Sequence, residues 1–294
     1  MATHRAATPQ PALEEAYSYC RRLAKSHYEN FTVGSLLLPR RLRPYFFAVY
    51  AFCRWTDDLG DEAPGDRLAL LDDWEAELSE AYHGHPTHPI AVALQDAVRR
   101  FDIPETPFRK LIEANRIDQG SGRFPTYADL LRYCDHSANP VGRMVLYLLG
   151  DRREESHRLS DATCTALQLA NFWQDVRRDY AMGRIYLPLE DMDRFGYSEE
   201  DLAAGAVNDN FRGLMAFEVD RAQALFEEGY ALVDRLPGRL KLDIALFTKG
   251  GLSVLAAIRR QNYDVLTERP VVSARRKAWL LASAASRLAL RRAP

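Results

Sequence analysis

The chain has 294 residues, 47% of them apolar and 11% aromatic, and a formal net charge of −2. This composition supports a sizeable core or an enclosed cavity and excludes a disordered chain, while the near-neutral charge gives no electrostatic basis for binding nucleic acid. Cys20, Cys53, Cys134 and Cys164 are far apart and form no CxxC pair, so they read as core thiols in a reducing compartment.

Residues 1–11 read as a flexible start with no apolar stretch of signal-peptide length, and nowhere do about 18 uncharged apolar residues run together. A cytoplasmic protein is expected. Helical periodicity then predicts helices over 12–28, 43–60, 65–82, 89–101, 105–119, 126–137, 140–149, 158–180, 209–235, 239–262 and 273–290. No segment alternates as a strand would, and no linker or repeat interrupts the chain. One all-α domain over 1–294, a helical bundle around a central cavity, is the architecture expected.

The second of these helices carries a stripe. Tyr50, Arg54, Asp57 and Asp61 recur at intervals of four, three and four, with Asp58 beside them, while Phe46, Phe47, Val49, Phe52 and Cys53 occupy the other faces. The competing reading is a solvated stripe with an Arg54–Asp58 pair worth ~0.3 kcal/mol. Helix 126–137 is followed by a break at Pro140, beside His136, Ser137 and Asn139. In helix 158–180, Gln168, Asn171, Asp175 and Asp179 are spaced by three, four and four along one edge, among Leu167, Leu169, Phe172, Trp173 and Val176. Buried polar groups without partners would cost about 1–3 kcal/mol each, so this edge is expected to face a filled polar site.

The final segment, 269–294, contains Arg and Lys but no acid, and its predicted helix puts Ala274, Ala278, Leu281, Ala285 and Leu288 on one side. It fits peripheral contact with an anionic bilayer, or an ordinary packed surface helix.

Carboxylate pairs on helices that lack the His or Cys set expected of zinc suit Mg2+, which completes its shell with water and substrate phosphate. Two acidic edges could hold two or three such ions around a diphosphate and turn it into a leaving group. A carbocation left behind needs apolar and aromatic walls, and Tyr28, Phe31, Phe46, Tyr50, Phe172 and Trp173 are candidates. Arg54 and Arg184 adjoin the acidic edges and suit phosphate contact, whereas Arg40, Arg41, Arg43, Arg177 and Arg178 carry no assignment. Cys53 and Cys164, near the acidic helices, lack an adjacent base, so covalent catalysis is not expected.

The stretches RWTDDLGD around Asp57 and LQLANFWQDVRRDYAMGRIYLP around Asp175 resemble the two aspartate-rich motifs of the squalene and phytoene synthase family, the head-to-head trans-isoprenyl diphosphate synthases. ENFTVGSLLLPRRLRPYFFAVYAFCR, YCDHSANPVG and QNYDVLTERPVVS extend the resemblance from about Leu13 to Leu290, and NFWQDV and HYENF resemble the hydroxysqualene synthases of bacterial hopanoid biosynthesis most. The resemblance implies an isoprenoid synthase fold, with Asp57, Asp58, Asp61, Asp175 and Asp179 at metal-binding positions. Tyr50 and Arg54 match substrate-contacting positions, Gln168 and Asn171 match residues lining the second motif, and Tyr186 belongs to the RIYLP element; with Arg184 these six are expected to bind substrate, and Tyr50, Arg54, Asn139 and Asn171 to carry the chemistry. Where many members have Arg before the second motif's first Asp, this chain has Gln174.

For that subgroup the substrate is presqualene diphosphate, and the expected activity is a carbon–oxygen lyase: loss of diphosphate, cyclopropane opening and capture of water to give hydroxysqualene. NADPH is not expected. His136, Ser137 and Asn139 are equal candidates for positioning the water. The alternative is a transferase that condenses two farnesyl diphosphates to presqualene diphosphate, squalene or dehydrosqualene, or makes phytoene from geranylgeranyl diphosphate. Other enzymes of the same pathway are the expected protein partners.

Overall fold

Helix is the dominant regular structure of the computed structural model, which describes residues 11–26, 39–236 and 240–273. Among these residues no strand forms, and the sole extended pairing is an isolated parallel bridge between Arg123 and Ile185. Tyr28, Phe31 and the basic segment from Ala274 onward lie outside the described residues, as do residues 1–10. The elements are α1 (Leu13–Ser26), a 3-10 turn (Arg40–Leu42), α2 (Arg43–Asp61), α3 (Arg67–His83), α4 (Pro89–Phe101), α5 (Thr106–Ile117), α6 (Tyr127–Ser137) and α7 (Asn139–Leu148), followed by α8 (Glu154–Ala181), α9 (Leu189–Arg194), α10 (Glu199–Ala203), α11 (Asp209–Gly229), α12 (Leu232–Arg235) and α13 (Leu240–Arg260). They fall into two compact units, Met1–Gln119 with Arg143–Arg152, and Gly120–Gly142 with Arg153–Pro294.

In the first unit α2 packs against α1, α3, α4 and α5. Its buried face is held by Phe52, which stacks on Trp74 at 5.2 Å and meets the edge of Phe108 at 5.0 Å. Thr56, one turn on, accepts the Trp74 indole N–H at 2.9 Å and donates to the Phe52 carbonyl at 2.8 Å. The one polar side chain on that face is thus satisfied, as burial requires. Fixing this face fixes the opposite one, where Tyr50, Arg54, Asp57 and Asp61 stand. Pro44 occupies the first turn of α2, where its missing N–H costs nothing.

In the second unit α8 is the central helix, packed by α6, α11, α12 and α13. It begins four residues earlier than the periodicity predicts, because Glu154 and Glu155 occupy its first turn and complement the helix dipole. Thr126 and Asp129 form a reciprocal cap at the start of α6, and Asn208 caps α11. The helix predicted over 209–235 is interrupted: α11 ends at Gly229, the chain tightens with Ala231 N–H donating to the Glu228 carbonyl, and α12 follows. The short α9 and α10 were not predicted, since five or six residues are too few to show a helical period.

Candidate functional site

The α2 stripe keeps its acids close to one another. Arg54 pairs with Asp58 and, at 2.8 Å, with Glu62, so the local ion pair of the competing reading does form. It leaves Asp57 unneutralised. The surrounding protein strips water from the Asp57 carboxyl and, with the neighbouring Asp61, lifts it to about 7, against the opposing effect of an Asn115 hydrogen bond at 3.4 Å. Individual waters can still reach Asp57, which is exposed along the stripe; what it lacks is a full hydration shell. Loss of hydration also pushes the Tyr50 hydroxyl up, with Arg54 opposing.

Asn115 is a residue that sequence reasoning missed. It sits buried on α5 and bonds the Leu111 carbonyl at 3.1 Å besides Asp57. Gly60 makes room for it: a Cβ there would lie 2.2 Å from Asn115 Oδ1. Gln119 joins the two by donating to the carbonyls of Gly60 and Asn115, both at 3.0 Å. An Asn among apolar neighbours carries no motif, so only the glycine inside DDLGD hinted at a close approach.

On α8, Gln168, Asn171, Asp175 and Asp179 lie along one edge, and each retains accessible surface. Burial, with Asp175 next along the edge, lifts the Asp179 carboxyl to about 7; Arg184, Arg178 and Arg269 pull the other way. Arg184 is placed by backbone bonds. Gly183, at φ 81°, ends the helix in the left-handed conformation that favours glycine, and the Arg184 N–H then returns to the Asp179 carbonyl at 2.9 Å. Ile185 N–H bonds the Gly122 carbonyl at 2.8 Å, and Arg123 bonds the Gly183 carbonyl at the same distance. The predicted cation therefore stands beside the second acidic edge.

Tyr186 stacks on Phe172 with centroids 3.7 Å apart and planes within 7°. Phe124 and Tyr133 complete an aromatic cluster with Tyr186, at 5.6 and 6.0 Å. Tyr133 and Phe124 were not assigned to the site from sequence; they come with Tyr186 because α6 packs on α8 and the Arg123–Ile185 bridge brings residues 122–125 alongside. Trp173 is fully buried, which places it in the core behind the edge rather than on its accessible surface. Burial pushes the Cys164 thiol up to about 11, so it is no nucleophile.

The three candidates near Pro140 separate. Asn139 is buried, and its side-chain oxygen accepts the Thr165 hydroxyl at 2.9 Å, a bond that ties the start of α7 to α8. His136 Nδ1 lies 2.8 Å from the Arg132 carbonyl, a helix-internal contact. The Ser137 hydroxyl is shielded from solvent and has no hydrogen-bond partner among the described residues.

Both edges crowd carboxylate oxygens whose negative charge the nearby arginines offset only in part, the environment that a hard divalent cation relieves. Among the described residues no three His, Cys, Asp or Glu side chains gather about one point. A cation here would complete its shell with water and phosphate oxygens, as Mg2+ does, so the donor set fits Mg2+ and does not fit zinc. No helix among the described residues is long and apolar enough to cross a membrane.

Comparison with known proteins identifies the family. The family model for squalene/phytoene synthase matches residues 24–276. The 15-cis-phytoene synthase of Synechocystis is 36% identical over 299 residues, covering 94% of this chain and 88% of that one. That of Synechococcus elongatus is 34% identical over 280 residues, covering 90% and 91%. Among solved structures, the squalene synthase HpnC from Alicyclobacillus acidocaldarius superposes with a TM-score of 0.83 at 52% identity, covering 85% of this chain and 95% of that one. A dehydrosqualene synthase in complex with ligand gives 0.84 at 30% identity, covering 94% and 97%. With its all-α isoprenoid synthase fold and its two aspartate-bearing helices, the chain belongs to the squalene/phytoene synthase family of head-to-head isoprenoid synthases.

Proposed function

We propose that this enzyme is a hydroxysqualene synthase, replacing the diphosphate of presqualene diphosphate by a hydroxyl derived from water. The observation that carries the squalene-side reading is the 52% identity to the squalene synthase from A. acidocaldarius, against 34–36% for the phytoene synthases. The choice of hydroxysqualene within that side is supported by the likeness of NFWQDV and HYENF to that subgroup. The second reading, condensation of two farnesyl diphosphates, is favoured by the dehydrosqualene synthase among the structural relatives.

In this reading Asp57 and Asp61 on α2, with Asp58 beside them, would hold Mg2+ for a substrate diphosphate, and so would Asp175 and Asp179 on α8. Mg2+ would supply the positive charge that stabilises the departing diphosphate. Arg184 adds a fixed cation next to Asp179, and Arg54 adds another on α2. Gln168 and Asn171 donate from the remaining turns of the α8 edge, and Tyr50 lies one turn before Arg54. Phe172 and Tyr186 offer aromatic faces that favour cationic charge. Ser137 supplies a hydroxyl that no described residue engages, which suits it to hold the water that ends the reaction; Asn139, bonded to Thr165, would hold the frame around it.

The test is to give purified protein farnesyl diphosphate and presqualene diphosphate separately, with Mg2+, with and without NADPH, and to identify the products by mass spectrometry. Hydroxysqualene from presqualene diphosphate without NADPH is expected. Efficient consumption of farnesyl diphosphate alone would establish the second reading instead. Full turnover by Asp57→Asn or Asp175→Asn would refute the metal cradle under either.

A further inference from the structure

Gln174, the departure from the family's arginine, has a specific partner. Its side-chain N–H donates to the Pro270 carbonyl, and its oxygen accepts from the Arg269 guanidinium at 3.1 Å. Arg269 in turn grips Asp175 with two nitrogens, Nε to Oδ1 at 2.5 Å and a terminal nitrogen to Oδ2 at 2.9 Å. One turn along α8, Arg177 donates to the Leu266 carbonyl at 2.7 Å. Residues 266–270 are thus tied to the back of the second acidic motif at three points.

We propose that Arg269 is a resident counter-cation of Asp175, positioned by Gln174, which a divalent metal must displace before it can use that carboxylate. This rests on the metal reading above and adds a competitor to it. A forked guanidinium engages both carboxylate oxygens at once, so a metal ion on Asp175 would have to share them with a fixed positive charge. The role also explains the residue at 174. Glutamine has both a donor and an acceptor, and this site uses one of each. An arginine has only donors, so it could not accept from Arg269 and would place a second cation against the first. Gln174 buries almost completely to do this, with 7% of its surface accessible. The consequence is an order of assembly: metal alone engages the second edge poorly, and it does so better once the guanidinium is drawn away.

The experiment is a titration of the full-length protein with Mn2+, followed by the loss of the free-ion paramagnetic resonance signal, without substrate. Arg269→Gln is expected to tighten one Mn2+ site about tenfold, the effect of removing a partly exposed bidentate competitor. Gln174→Ala, which keeps the charge but frees it, should give a smaller gain of about threefold, and Arg269→Lys should fall between wild type and Arg269→Gln. In an Asp175→Asn background, Arg269→Gln should change nothing. Circular dichroism of each variant checks the fold, and should Arg269→Gln fail to fold, Gln174→Ala and Arg269→Lys carry the test. Equal or weaker Mn2+ binding in the Arg269 variants, or a gain that persists in the Asp175→Asn background, overturns the inference and leaves the metal reading standing. Absence of Mn2+ binding in every variant, even with inorganic diphosphate added, overturns both.

Discussion

Asp179→Asn should stabilise the metal-free protein while destroying its activity. The Asp179 carboxyl is lifted from 3.8 to about 7 by burial and by Asp175. If that shift were wholly electrostatic cost, it would correspond to ~4 kcal/mol at high pH. Partial exposure and three nearby arginines screen the site, so about 1–2 kcal/mol is the expected net gain. The sign follows from the raised value: protonated Asp179 lets the fold keep its full stability below the unfolded value near 4, and that stability is lost as pH rises through about 7. Urea melts in EDTA at pH 8 should therefore show the Asn variant more stable than wild type, with the gap closing towards pH 4. Turnover with Mg2+ should fall at least ~100-fold, since charge stabilisation at the leaving group is lost. An Asn variant that is less stable than wild type at pH 8, or a gap independent of pH, would refute the account of this edge as a repulsive carboxylate pair.

Other outcomes follow from the same geometry. Gly60→Ala would set a Cβ 2.2 Å from Asn115 Oδ1 and displace the amide that bonds Asp57; a loss of about 1–3 kcal/mol in a thermal or urea melt is expected, with reduced turnover. Glu218 is fully buried on α11, and burial lifts its carboxyl to about 8, helped by Asp191 and opposed by Arg221. It is therefore protonated at neutral pH, and wild type should lose stability as pH rises through about 8 while Glu218→Gln does not, which melts at pH 6 and 9 will show. Ser137→Ala should leave stability near wild type, because no bond to a described residue is broken, and shift products from alcohol towards hydrocarbon by mass spectrometry.

What could be read from the sequence was whatever shows as a periodic exception. α2 and α8 were legible because each is an apolar helix with a polar stripe at three- and four-residue spacing, and the structure keeps both stripes on single edges. Asn115 and Arg269 were not legible, because their significance lies in contacts with residues 58 and 94 positions away. Trp173 shows the opposite failure: an aromatic adjacent to an acidic motif looked like a cavity wall, but its direction on the helix sends it into the core. The break after Gly229 was invisible because the apolar period continues through it.

The way the chain is joined between Gly122 and Leu189 sets what kinds of sequence change this enzyme can tolerate. The N–H groups of Ile185 and Leu189 bond the carbonyls of Gly122 and Phe124, so main chain rather than side chain sets the course of GRIYLP. Side chains at 184 and 186 can therefore be exchanged without moving the positions they occupy, which makes them suitable sites for saturation libraries aimed at product outcome. Length changes are a different matter. One residue inserted between Asp179 and Ile185 would shift the pairing register, turn Tyr186 off Phe172 and carry Arg184 away from the acidic edge, so variation in this stretch is confined to substitution.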